Sequence, residues 1–486
     1  MAKKHFYLTT TAPYVNADPH IGFALEIIQA DVIARFKRLT GYEVAFGFGT
    51  DEHGLKIYRK ALEAKKDPLE YCDQFAKRFD ELKKVLNLST THFIRTTDPK
   101  HITAAQEFWN RCYKNGDIYK KNYRVKYCVG CELEKTDSEL VDGKCSLHPN
   151  LKIEIYDEEN YFFRFSKYQD KLLKLYKNSP DFVVPKHRLL EIETFVKKGL
   201  QDFSISRQKS KMPWGVDVPN DPEHVMYVWF DSLVFYISTI GWPQDEKEFN
   251  TWWPVVQVAG KDNLRQQSAI WQAMLMSAGL SNSKQIVIHG FITSEGKKMS
   301  KSLGNVIDPF DLVKQYGIDA VRYYLLKEIP PFDDGDFSHE RMKEIYNADL
   351  ANELGNLVSR ITNLAEKDKL EVNNQFSTGS NSNYVSSEDR HSTVPVEVET
   401  QFDNFQFNLV LEQIWKEIKN LNKTIDEFAP WKKNATERKE FLVHCINTLK
   451  SVAYQLQPFL PNTADKILKL TKNRIKKVPP LFPKII

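Results

Sequence analysis

Apolar residues first appear along the chain as a short β-rich run, Phe6-Tyr7-Leu8, and then at helical spacing. Leu25, Ile28, Val32, Phe36 and Leu39 share one helix face, and Gly41 stands where a C-terminal cap is needed. Val44, Phe46 and Phe48 then alternate as in a strand. Strand, helix and strand at this pitch predict a parallel α/β sheet. From about Asn115 to His224 the pattern gives way to polar and charged residues. Strand signals return at 225–229, 255–258 and 285–288, so the simplest reading is one α/β domain split by an insertion. After about Ala348 the periodicity is helical: Leu350, Leu354, Leu357, Ile361 and Leu364, then Leu409, Ile414, Ile418, Leu421 and Ile425, then 441–460. A Ser/Asn-rich run over 373–393 has little to bury and reads as a mobile loop.

Length and charge narrow this picture. The chain has 486 residues, enough for about three domains. Sixty-eight Lys+Arg against 64 Asp+Glu leave a formal charge of +4, which excludes a wholly basic nucleic-acid coat. Hydrophobic residues at 42% exclude a chain disordered throughout. The basic tail (Lys466, Lys469, Lys472, Arg474, Lys476, Lys477) is either a solvated face or a phosphate contact. The most apolar stretch, Val225 to Trp242, is broken by Asp231 and reads as core, so no membrane partner is expected. Six cysteines and a strand at the very start suggest a reduced, cytoplasmic protein with no leader.

Three of the cysteines fall within eighteen residues. Cys128-x-x-Cys131 and Cys145-x-x-His148 supply three thiolates and an imidazole, a closed tetrahedral set for one structural Zn²⁺. Pro19-His20-Ile21-Gly22-Phe23 sits where the first strand hands over to the first helix, the place where phosphates meet a helix N-terminus. Gly296 to Asn305 is a glycine-flanked loop carrying Lys297, Lys298, Ser300, Lys301 and Ser302, a surface suited to a triphosphate.

Lys298-Met299-Ser300-Lys301-Ser302 matches the KMSKS signature of class I aminoacyl-tRNA synthetases, and His20-Ile21-Gly22-Phe23 resembles their HIGH signature. The closer resemblance is to the methionyl-tRNA synthetase family. It is carried by 12–16 (Ala-Pro-Tyr-Val-Asn), 49–54 (Gly-Thr-Asp-Glu-His-Gly), 228–231 (Val-Trp-Phe-Asp), 260–262 (Gly-Lys-Asp), 356–360 (Asn-Leu-Val-Ser-Arg) and 429–431 (Ala-Pro-Trp).

The resemblance implies a split Rossmann-type sheet (1–114 and 225–310), a zinc-bearing connective insertion (115–224), a stem-contact segment (311–348) and an α-helical anticodon-binding domain (349–486). It implies activation of methionine by Mg²⁺-ATP and transfer to the terminal adenosine of tRNA(Met). His20, Lys298 and Lys301 would be catalytic. Gly22, Phe23, Gly260, Asp262 and Ser300 would join them around ATP. Ala12, Tyr14, Asp51, Trp229, Leu233, Tyr236, Gln267 and Trp271 would hold methionine, with Asp51 on the ammonium and aromatics around the thioether. Asn356, Arg360, Pro430 and Trp431 would read the anticodon by stacking and base-edge contacts. No dimerisation extension is recognised, so a monomer is expected.

Two departures leave alternatives open. Phe23 replaces the last His of the HIGH signature, which keeps a non-catalytic tRNA-binding paralogue in play. Gln267 stands where the family usually places His, which keeps another amino-acid substrate in play.

Overall fold

The computed structural model describes residues 4–135, 139–297, 299, 304–372 and 396–485. Lys298, Ser300, Lys301 and the Ser/Asn-rich run lie outside the described residues.

Six parallel strands form the central sheet: β1 (His5–Thr9), β2 (Glu43–Thr50), β3 (His92–Arg95), β4 (Val183–Val184), β5 (Val255–Gly260) and β6 (Gln285–His289). Their spatial order is β3-β2-β1-β5-β6-β4. Register is set by pairs such as Tyr7↔Ala45, Thr9↔Gln257 and Gly260↔His289. The strand order reverses between β1 and β5, and ligands of open α/β sheets bind at the carboxyl ends of strands beside such a switch point. Those ends carry Thr9–Ala12, Asp51, Gly260 and His289.

Helix α1 (Ile21–Leu39) follows β1 and is buried along most of its length, including Glu26, Gln29 and Asp31. Burial on both faces of the sheet explains the near-continuous apolar runs of its strands. Inside the insertion, Ile118–Cys128 and Glu154–Phe163 form a long antiparallel hairpin, with the cysteine cluster at its far end. The 115–224 run also supplies β4, the edge of the central sheet.

The strand expected over 225–229 is corrected. The strand Asp221–Met226 ends at Met226 in a separate three-stranded antiparallel sheet, and Val228–Ser232 is helical. Packing of Phe230 and Leu233 into the core overrides the β-propensity of Val228 and Trp229.

The C-terminal region is helical: α2 (Asn356–Lys367), α3 (Phe407–Phe428), α4 (Ala435–Leu456) and α5 (Pro461–Leu470). A wide-turn π stretch, Tyr346–Gly355, leads into α2. The bundle shares one continuous core with α1. Arg322, fully buried, joins the two parts. It pairs with Asp31 at 2.8 Å and donates to the carbonyls of Pro458 and Phe459. No described helix is long and apolar enough to cross a membrane.

Candidate active site and metal centre

His20 is the N-cap of α1, and its Nδ1 accepts from the Gly22 amide at 3.0 Å. Surrounding protein lowers its pKa by desolvation, although Glu26 acts in the opposite direction. A neutral ring with Nδ1 accepting carries its proton on Nε2, which is left to donate outward. Gly22 permits this cap, since a Cβ there would meet the His20 ring at 2.8 Å. Phe23 does not accompany them. Its ring turns into the core, edge-on to Phe79 at 5.5 Å. The His-to-Phe departure thus places an apolar ring in packing contact beside the His20 cap.

Opposite, β5 ends at Gly260, where a Cβ would crowd Asp262 Oδ1 at 2.8 Å. Beneath it lies a pair that the sequence pattern missed. His289 Nε2 meets Glu26 Oε2 at 3.0 Å and its Nδ1 donates to the Gly290 carbonyl at 2.7 Å. Burial works to lower the His289 pKa, but Glu26 and the carbonyl outweigh it and the net shift is upward. Glu26 Oε1 also accepts from the Thr11 amide and hydroxyl, fixing the chain just before Ala12. The one signal for this pair was an acidic residue inside a helix that is apolar almost all round.

Asp51 follows β2 and is 5% exposed. It pairs with the 13–15 segment like a strand residue, its amide donating to the Pro13 carbonyl at 2.9 Å. Its Oδ1 has no hydrogen-bond partner among the described residues. Burial first, and then the nearby Asp231 carboxylate, push its pKa well above the usual range. A buried carboxylate in this state is costly until a cation arrives. Tyr14 donates to the His53 carbonyl at 2.5 Å, which holds its ring beside Asp51.

Leu233, Tyr236 and Trp271 are buried in one cluster, with Ala12 and Trp229 packed against it. Trp271 stacks on Phe108 at 5.5 Å and lies 5.9 Å from Tyr236. Gln267, 1% exposed, lies in a π-helical turn (Gln266–Ile270) and accepts from Gln257 Nε2 at 2.8 Å. The structure therefore brings the candidate methionine residues to one end of the sheet, beside Asp51 and its unpartnered Oδ1. Behind them, Asp231 bridges two imidazoles, His53 Nδ1 at 2.5 Å and His101 Nε2 at 2.8 Å. Burial works to raise the Asp231 pKa, but the two His partners prevail and hold it at about 2.

In the insertion, the donor atoms of Cys128, Cys131, Cys145 and His148 all lie within 4.8 Å of one another. None of the four is in a disulfide or far from its neighbours; Cys131 Sγ is 3.1 Å from His148 Nδ1. Three thiolates and one imidazole around a common point fit one soft divalent ion with no open position. Gly130 is required here, because a Cβ would meet the His148 ring at 2.5 Å.

At the far end of the molecule, Asn356 is exposed on α2, and Arg360, one turn on, is bound to Asp426 near the end of α3. Ala429, with φ of 50°, stops α3 and turns the chain into Pro430-Trp431. Pro430 is buried while Trp431 is 55% exposed, unusual for so large an aromatic. The Arg360–Asp426 pair thus draws all four candidate positions to one end of the bundle.

A switch-point cleft with a capped helix N-terminus on one side and a glycine-ended strand on the other defines a Rossmann-type nucleotide-binding enzyme. The sequence profile of "tRNA synthetases class I (M)" matches residues 6–151 and 134–362. A methionine–tRNA ligase of Thermosynechococcus vestitus is 45% identical, covering 95% of this chain and 89% of that protein. One from Thermotoga maritima is 42% identical, over 96% and 75%. The Mycobacterium tuberculosis methionyl-tRNA synthetase solved with methionyl-adenylate superposes with a TM-score of 0.90 at 38% identity, over 99% of this chain and 100% of that one. The chain belongs to this family, the methionine–tRNA ligases among the class I aminoacyl-tRNA synthetases.

Proposed function

We propose the following division of labour for methionine–tRNA ligation in this chain. The reaction has two steps. The methionine carboxylate attacks the α-phosphorus of ATP, the bond to the β-phosphate bridge breaks, and pyrophosphate leaves. The terminal ribose hydroxyl of tRNA(Met) then attacks the acyl carbon, and AMP leaves. Both steps need positioning and charge neutralisation more than a protein nucleophile.

Asp51 receives the α-ammonium of methionine. Its unpartnered buried oxygen is the observation that carries the assignment, because a cation there relieves its desolvation. Ala12, Tyr14, Trp229, Leu233, Tyr236 and Trp271 enclose the side chain, with Gln267 at its polar end. His20 donates from Nε2 to ATP phosphates, the α1 N-terminus and Gly22 let them approach, and Gly260 and Asp262 face the ribose. Lys298, Ser300 and Lys301 are assigned to the triphosphate by their motif. Mg²⁺ enters with ATP.

One Zn²⁺ held by Cys128, Cys131, Cys145 and His148 organises the insertion. Asn356, Arg360, Pro430 and Trp431 meet the anticodon, Trp431 by stacking. The segment boundaries 1–114, 115–224, 225–310, 311–348 and 349–486 are the functional units. Six unpaired cysteines support a reducing compartment such as the cytoplasm.

Amino-acid-dependent ATP–pyrophosphate exchange across all twenty amino acids tests this reading. Exchange with methionine alone is expected. Exchange driven best by another amino acid would overturn the pocket assignment.

A further inference from the structure

Behind the amino-acid pocket, four buried polar side chains form a chain of hydrogen bonds that runs in one direction. Gln257, Gln272, Ser283 and Gln267 are all at most 5% exposed. Which atom of an amide is oxygen is ordinarily ambiguous. Here two backbone groups settle it. Gln272 Oε1 accepts from the Ser283 backbone amide at 3.1 Å, and Gln272 Nε2 donates to the Gln267 backbone carbonyl at 2.8 Å. An amide N–H can only donate and a carbonyl can only accept, so Gln272 has one orientation.

The remaining bonds run the same way. Gln272 Nε2 also donates to Ser283 Oγ at 3.1 Å. The Ser283 hydroxyl donates in turn to Gln257 Oε1 at 2.6 Å. Gln257 Nε2 donates to Gln267 Oε1 at 2.8 Å. With its oxygen occupied, Gln267 is left with its NH₂ to give. Both amides, of Gln257 and Gln267, act on the Tyr236 hydroxyl as donors, each drawing its pKa down against the larger effect of burial. A phenol that accepts twice still has its own hydrogen to give. The polar end of the pocket therefore presents donors.

We propose that Gln257 is a specificity-determining positioning residue: it fixes the Gln267 amide and the Tyr236 hydroxyl as donors, matched to a side chain that accepts, the thioether sulfur of methionine. Ser283 and Gln272 set the polarity from behind. Gln257 is placed for this by the pleat of β5, on the same face as Val255 and Ala259, which belong to the pocket cluster. Gln267 is brought to it by the π-helical turn, whose extra residue per turn re-aims the side chain. The inference rests on the reading that Tyr236 and Gln267 line the methionine pocket.

Norleucine, which replaces the sulfur by a methylene, is the probe. The measured quantity is the ratio of kcat/KM in ATP–pyrophosphate exchange for methionine over norleucine. Gln257→Met should lower this ratio about tenfold, the scale of one directed hydrogen bond. Ser283→Ala, which removes only the middle of the chain, should lower it two- to threefold. In both, the KM for ATP should stay within about twofold of wild type.

A merely structural role would reduce both amino acids equally and leave the ratio intact, which would overturn the proposal. So would a wild-type ratio in both variants. Tyr236→Phe separates the underlying reading: if that variant keeps wild-type KM for methionine, Tyr236 does not line the pocket, and the proposal falls with the reading rather than alone.

Discussion

The Cys3His cluster and the proposed amino-acid pocket are both buried sites, yet they are built in opposite ways. The metal ligands span 128–148 in one hairpin end, and a single glycine, Gly130, makes room for the imidazole. The pocket draws on β1, β2, β5, the 228–232 helix and the π-helical turn. Its organising contacts join residues far apart in the chain: His101 to Asp231, His53 to Asp231, His289 to Glu26. A local site stands or falls with its ion. A dispersed site is held by the sheet, and its polar groups are buried before any ligand arrives. The cost of that burial is visible at Asp51, and on the proposed reading it is what gives the ligand ammonium its advantage.

The comparison can be broken first at the metal centre. Cys145→Ser should lose the ion and disorder the hairpin end, because ligand loss from a closed four-ligand site removes most of its folding free energy. Metal analysis should give about one zinc per wild-type chain and close to none in the variant. At the pocket the same approach should fail to unfold anything. His20→Ala should cost on the order of 100-fold in kcat/KM for ATP, the scale for loss of one donor to developing charge, with an unchanged melting transition.

A smaller effect is expected from Trp431→Ala: about tenfold higher KM for tRNA in aminoacylation, from loss of one stacking surface, with pyrophosphate exchange unaltered.

Acid should distinguish the two regions as well. Asp231 has a folded-state pKa of about 2, below the ordinary carboxylate value near 4. Its contribution is present above pH 4 and is lost as pH falls toward 2. At about 1.4 kcal/mol per pKa unit this is on the order of 2 kcal/mol. Denaturant midpoints measured from pH 5 to pH 2 should fall less steeply in Asp231→Asn than in wild type.

Legibility in the sequence follows the same division. The ligand set 128–148 could be read directly, because Cys and His at fixed short spacing have few other uses. Three of the C-terminal helices, α2, α3 and α4, could be read from their periodicity. Asp51 and the aromatic positions came only through family resemblance, since an aromatic at 229 or 271 looks like any core residue. Glu26, His289 and Gln257 gave almost no signal, each a polar residue inside an apolar run with its partner on another element, and nothing marked His101 as the partner of Asp231. The strand expected at 225–229 failed for a related reason. Val228 and Trp229 carry β-propensity, but the cluster around Phe230 and Leu233 draws them into a helix. Phe23 was legible as a lost potential phosphate donor, but its packing against Phe79 was not.

The central claim of the proposed function is that Asp51, through its unpartnered Oδ1, selects the methionine ammonium. It is tested most directly by steady-state pyrophosphate exchange with Asp51→Asn, read as separate KM values. Loss of a buried charged partner should raise the KM for methionine about 100-fold, while the KM for ATP moves less than about twofold. An unchanged methionine KM, or an equal rise in both, would contradict the account.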